Sequence, residues 1–156
     1  MGVPNHFTYN SPIGKITIES DGGAITRLAF GAVQLGGKYR ANAVTNLAAN
    51  QLQEYFAGRR RYFDVPLHLE GTDFQKAVWS EMCDIPYGST KSYAQIAQAV
   101  GSPKAYRAVG MAANTNPVPI IVPCHRVLGS RGNLVGYAYG IETKKYLLDL
   151  ERKVSE

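Results

Sequence analysis

Cys124 and His125 stand side by side in Pro123-Cys124-His125-Arg126-Val127, at the end of the apolar run Val118-Pro119-Ile120-Ile121-Val122. The thiolate is the nucleophilic form of cysteine, and a thiol with pKa ~8.5 is mostly protonated at neutral pH. A base must therefore take the proton, and imidazole is the side chain suited to that. Of three histidines, His6 and His68 lie in the N-terminal half and His125 alone in the C-terminal half. On a continuous strand Cys124 and His125 would point to opposite faces. Either the strand ends at Pro123 and the pair lies on a turn, or a water relays the proton. The alternative without chemistry is a buried cysteine ending a core strand.

The elements that must position such a pair belong to a chain of 156 residues with 45% apolar content, enough for one ordinary domain or two small ones. No apolar run has membrane-spanning length, and the N-terminus shows no signal pattern, so a cytoplasmic protein without membrane contact is expected. His6 occupies the position where a myristoylation pattern needs Ser or Thr. Cys83 and Cys124 are the only cysteines and are far apart, which argues against a cysteine-rich zinc site or a disulfide framework. No metal and no cofactor are expected. Cys83 reads as a helix-packing residue. The net charge of +5 permits a polyanionic partner without identifying one.

The first third is strand-like, with runs His6–Tyr9, Gly14–Glu19 and Ala24–Phe30 separated by turn residues, which suggests a small antiparallel meander. A helix over Val44–Phe56 follows, stopped by Gly58; Arg59, Arg60 and Arg61 read as a solvated cluster. A joint at Glu70–Asp73 divides the chain into domains 1–70 and 71–156. Thr72 or Asp73 can cap a helix over Phe74–Cys83. A short helix over Ser92–Val100 is broken at Gly101-Ser102-Pro103, and Pro103 suits the first turn of a second helix reaching about Ala113. This is a helix-turn-helix pattern. Its second helix carries Ala105, Ala108, Gly110, Ala112 and Ala113, with Lys104 and Arg107 near the start. Small residues permit close approach and cations attract phosphates; a tightly packed core helix is the alternative.

These pieces occur together in one family. Ile85-Pro86-Tyr87-Gly88 with Ser92-Tyr93, Gly101–Gly110, Asn116–Val127, Gly136–Gly140 and Lys144–Glu151 follow in order. In them the chain resembles the O6-alkylguanine–DNA alkyltransferases, which move an alkyl group from guanine onto their own cysteine. The resemblance spans most of Phe74–Glu151; the first seventy residues match only in style. It implies an α+β protein: a small N-terminal antiparallel sheet-plus-helix domain, then a mostly helical, winged-helix-like C-terminal domain for DNA binding and alkyl acceptance. The implied partner is double-stranded DNA carrying alkylated bases, met by a monomer.

The resemblance further implies that Cys124 is the acceptor, His125 the base acting through water and Glu151 the carboxylate orienting it. Asn116 would stabilise the turn before the cysteine. Tyr93 would turn the target phosphate and help protonate the leaving base. Arg107 would fill the gap left by a flipped base, with Lys104, Ala105 and Ala108 at the minor groove. Pro119, Val127, Tyr137 and Tyr139 would line the base and alkyl pocket. Bond chemistry adds that a thioether has no good leaving group, so each molecule would react once.

Two departures stand out. Tyr139-Gly140 replaces a Gly-Gly common in the family, which should narrow the pocket. No cysteine-rich zinc domain precedes the core, which favours stand-alone repair over a transcription-activating form. The competing readings are an alkyltransferase-like damage-binding protein, a cysteine hydrolase or acyltransferase, and a helix-turn-helix regulator. Cys124 opposes the first, the lack of a nameable oxyanion hole the second.

Overall fold

A computed structural model describes residues 2–134 and 137–155, so Gly136 of the matched motifs lies outside the described residues. The chain forms two compact units, Met1–Glu70 and Gly71–Glu156.

In the first unit β1 (Asn5–Tyr9), β2 (Ile16–Ser20), β3 (Ile25–Phe30) and β4 (Lys38–Tyr39) form a sheet in the order β3-β2-β1-β4. The first three strands pair antiparallel, with Phe7 opposite Ile18 and Ile18 opposite Leu28. Alternation buries Ile16 and Ile18, and with Ile25 and Leu28 they make the core side of the sheet. The fourth strand was not expected, and it runs parallel to β1, so the sheet is not purely antiparallel. Two residues are too few to show a period.

Helix α1 (Ala43–Phe56) packs on this sheet through Ala48, Leu52, Tyr55 and Phe56, all buried. Each large side chain so buried contributes about 1.5–3 kcal/mol. Asn42 and Thr45 close a reciprocal capping box that starts the helix. Among the arginines that follow, Arg60 bonds Glu54 at 2.9 Å on the surface.

The second unit begins with α2 (Asp73–Cys83), capped by Thr72 with Gln75. Val78, Trp79 and Met82 form its buried face. Cys83 is exposed, not a packing residue, because it lies about 100° round the helix from Met82. Helix α3 (Tyr93–Ala99) starts at a third capping box, Ser92 with Gln95. Helix α4 is Tyr106–Asn114. It begins later than expected, since Ala105 N donates to Ser102 O at 2.9 Å and closes a tight turn round Pro103. The three helices pack together, and Trp79 Nε1 donates to Ala112 O at 2.8 Å.

Val118–Val122 is not a strand. An isolated bridge joins Pro119 to Val122, and Ile120 has φ 74° although buried and β-branched. That conformation costs about 1–3 kcal/mol. Asn116 holds the loop: its Nδ2 donates to Val122 O at 2.8 Å, and its Oδ1 accepts from Val118 N at 2.9 Å. Cys124–Arg126 is a single 3-10 turn leading into β6 (Val127–Leu128). β6 pairs parallel with β5 (Lys91–Ser92), and α5 (Ile141–Ser155) closes the unit.

Candidate active site

Three segments supply the central residues of the site, and Tyr93 of α3 and Tyr137 lie beside them. The 3-10 turn presents Cys124, His125 and Arg126; the loop before it presents Asn116; and α5 presents Lys144 and Glu151. Lys144, Leu147 and Glu151 are spaced three and four apart, so they share the buried face of α5.

The turn resolves the geometric problem set by adjacent residues. Cys124 and His125 face different partners. The buried thiol is met by the Asn116 side chain and the Tyr137 hydroxyl, with Lys144 and Tyr93 close enough to interact electrostatically. The Tyr137 hydroxyl is buried beside it, and no hydrogen bond of normal geometry reaches that oxygen from the described residues. Burial pushes the Cys124 thiol up to about 11, despite the lowering influence of Asn116 and Lys144. The resting group is therefore a neutral thiol.

His125 is fully buried, and its Nε2 meets Glu151 Oε2 at 2.6 Å. An ionised carboxylate only accepts, so Nε2 carries the proton and Nδ1 holds the lone pair. Burial lowers the imidazole pKa, opposed by Glu151 and reinforced by Arg126 and Lys144. Burial alone would raise Glu151, yet His125 and Arg126 together hold it at about 2.

Sequence reasoning gave no role to Lys144 or Arg126. Lys144 Nζ donates to Val127 O at 2.6 Å and lies 5.9 Å from the ring centres of both Tyr93 and Tyr137. Burial lowers its pKa to about 8, so it is predominantly cationic at neutral pH. The available signal was its place one helical turn from Leu147 and two from Glu151 on an apolar stripe. Arg126 binds both oxygens of Glu151, and its only clue was its position after a buried pair.

Of the pocket candidates, Pro119, Val127 and Tyr137 are buried. Tyr139 is half-buried; its hydroxyl donates to Asn116 O at 2.9 Å, and its ring meets Tyr137 edge-on at 5.3 Å. Arg107, Lys104 and Ala108 are exposed on α4 and its leading turn, and Ala105 is half-buried there. A Cβ on Gly110 would meet nothing within 4 Å, so this side of α4 is open. These residues form a separate surface and are not among the contacts that surround Cys124.

A family model described as "6-O-methylguanine DNA methyltransferase, DNA binding domain" matches residues 73–153. A second, described as that protein's "ribonuclease-like domain", matches residues 6–69. The chain belongs to the 6-O-methylguanine DNA methyltransferase family. It is 49% identical over 150 residues to the methylated-DNA–protein-cysteine methyltransferase of Methanosarcina barkeri, covering 90% of this chain and 92% of that one. The Mycobacterium tuberculosis protein of the same name is 45% identical over 153 residues, covering 93% and 90%. The fold agrees with a crystal structure of Mycobacterium tuberculosis OGT in complex with DNA at a TM-score of 0.90 and 44% identity, over 96% and 94% of the two chains.

Within this family member the Asn116 clamp makes a specific prediction. Asn116→Ala removes both loop bonds, a loss of about 2–3 kcal/mol that relaxation of strained Ile120 partly offsets. Denaturant unfolding of the variant against the parent chain checks this.

Proposed function

We propose that the protein repairs duplex DNA by moving the alkyl group of O6-alkylguanine, and of O4-alkylthymine where present, onto Cys124. The observation that carries this reading is the thiol itself. It is buried, neutral at rest and set among Asn116, Tyr137, Tyr93 and Lys144, next to a histidine fixed by a carboxylate.

The reaction is an in-line displacement at saturated carbon. Sγ forms a bond to the alkyl carbon as the bond from that carbon to O6 breaks, and the electron pair stays on the purine. Cys124 loses its proton to His125 Nδ1 through a water. Lys144 offsets the negative charge while the sulfur is a thiolate, and Tyr93 supplies a proton to the departing base. The products are a thioether and an unmodified guanine, so each molecule acts once.

Residues 71–156 act as the DNA-binding and alkyl-acceptor domain. α4 enters the minor groove with Ala105 and Ala108 against it and Lys104 at phosphate. Arg107 occupies the space of the base that swings out to the pocket of Pro119, Val127, Tyr137 and Tyr139. Sequence is little read from that groove, which suits repair of scattered lesions.

The test mixes the protein with excess duplex bearing one O6-methylguanine and follows its mass. One methylene unit should appear on the Cys124 peptide, once per molecule. Tight binding without any mass gain would replace this reading with a damage-binding protein.

The pocket wall gives a further expected result. O6-benzylguanine as a free base should react slowly compared with methylated DNA, and Tyr139→Gly should raise that rate by about tenfold or more, equivalent to about 1.4 kcal/mol of relieved crowding. Rapid inactivation of the parent chain, unchanged in the variant, would refute a narrowing role for Tyr139.

A further inference from the structure

Glu151 is usually all that is asked of a third group behind a Cys-His pair, but here the carboxylate is itself enclosed. Its Oε1 accepts from Arg126 Nε at 2.9 Å and from Gly88 N at 3.1 Å. Its Oε2 accepts from His125 Nε2 at 2.6 Å and from Arg126 Nη2 at 3.1 Å. Among the described residues each oxygen thus has at least two donors, matching the acceptor sites of the group.

The guanidinium is fixed in turn by the segment Ile85–Gly88. Arg126 Nη1 donates to Ile85 O at 2.8 Å, and its Cζ lies 5.6 Å from the Tyr87 ring centre. Gly88 has φ 79°, and a Cβ there would strike the Ser155 hydroxyl of α5. The positive φ therefore favours glycine at the position whose backbone N–H reaches Glu151.

We infer that Arg126, seated on the Ile85–Gly88 turn, is a positioning residue that neutralises Glu151 and so keeps His125 available as a proton acceptor. A carboxylate with no countercharge beside a histidine draws the proton onto the ring and holds it there, which would disable the base. The fork of Arg126 cancels that pull while preserving the hydrogen bond that aims the ring. Glu151 orients without capturing.

The neighbouring charges agree with this assignment. Toward the imidazole, α5 presents Glu151 and Lys144, and the 3-10 turn presents Arg126; only Glu151 favours protonation. Cys124, Tyr93 and Tyr137 are neutral at rest, with pKa values raised by burial. Arg126 also acts electrostatically on Cys83 at the end of α2, which has Asp84 beside it.

The decisive measurement is an NMR titration of the His125 ring in Arg126→Gln, Arg126→Lys and the parent chain, with circular dichroism to establish folding. In Arg126→Gln the ring should titrate higher by about one pH unit or more, since it gains an unbalanced carboxylate neighbour. In Arg126→Lys it should stay near the parent, because the charge is kept. The acid limb of the transfer rate against pH should move upward with the ring in Arg126→Gln. A folded Arg126→Gln whose ring titrates unchanged or lower would overturn the inference, leaving Arg126 a purely structural residue.

Should Arg126→Gln fail to fold, the parent chain and Arg126→Lys still test the proposal. A parent ring that titrates above an ordinary histidine overturns it, as does a folded Arg126→Lys whose ring departs from the parent by about one pH unit or more. The link to rate rests on the proposed roles of Cys124 and His125, whereas the ring titration does not. A shifted ring with no alkyl transfer in any chain would therefore retire the repair reading and leave the electrostatic one standing.

Discussion

Cys124→Ala is expected to abolish alkyl transfer while leaving affinity for duplex DNA within about threefold, a change below about 0.7 kcal/mol. Arg107 on α4 and Lys104 on its leading turn belong to a surface built from other residues, so the substitution removes the proposed nucleophile and little else. The thiol lies in a closed setting, 3% exposed, and deletion of one sulfur leaves a small void costing about 1 kcal/mol. Intact-mass measurement and fluorescence-anisotropy binding on the same preparation separate the two effects. Residual transfer to the variant would move the acceptor to another residue. The parent thiol also carries a pH signature. Its folded pKa of about 11 lies above the ordinary thiol value of 9.0, so its contribution to stability is complete below pH 9 and disappears as pH rises through 11. Cys124→Ala should lack that loss between pH 9 and 11.

Glu151→Gln is expected to slow transfer by roughly 10²–10⁴-fold and to destabilise the fold by about 3–5 kcal/mol. The amide is nearly isosteric, but its NH2 end faces a donor wherever it turns, because His125, Arg126 and Gly88 all donate to this group. Arg126 is left as a buried charge without its carboxylate. The sign of the pH dependence follows from the lowered carboxyl. A group shifted from 4.5 to about 2 stabilises the fold above pH 4.5 and loses that contribution as pH falls through 2. The shift corresponds to about 3 kcal/mol. Urea unfolding between pH 2 and 5 should therefore steepen for the parent chain and flatten for Glu151→Gln. Parallel profiles would mean that Glu151 is not ionised in the folded protein.

How far the sequence could be read depended on the range of the interactions. Capping boxes at Thr72 and Ser92 are local, and the helices they start could be expected from spacing and polarity alone. The adjacent pair Cys124-His125 was visible as chemistry, and the resemblance added Glu151. Arg126 and Lys144 were not legible, because their meaning comes from partners on other elements, Glu151 on α5 for one and Val127 on β6 for the other. Val118–Val122 looked like a strand since β-branched residues favour extended backbone. Asn116 binds the loop back on itself and carries Ile120 into the left-handed region, which no propensity could reveal.

The buried lysine acquires a further meaning when formal charges are counted through the reaction. Glu151 and Arg126 cancel and His125 is neutral, so these three with Lys144 and a resting thiol carry a net positive charge. Reactant thiol and product thioether are both uncharged, so Lys144 has no negative partner on sulfur at the beginning or at the end. Passing the thiol proton to His125 leaves the total unchanged and only separates charge, and Lys144 is a countercharge to sulfur only while sulfur is negative. The interior is electrically suited to the transient species and to neither stable one, and an uncharged mimic of the alkylated sulfur would miss that complementarity altogether.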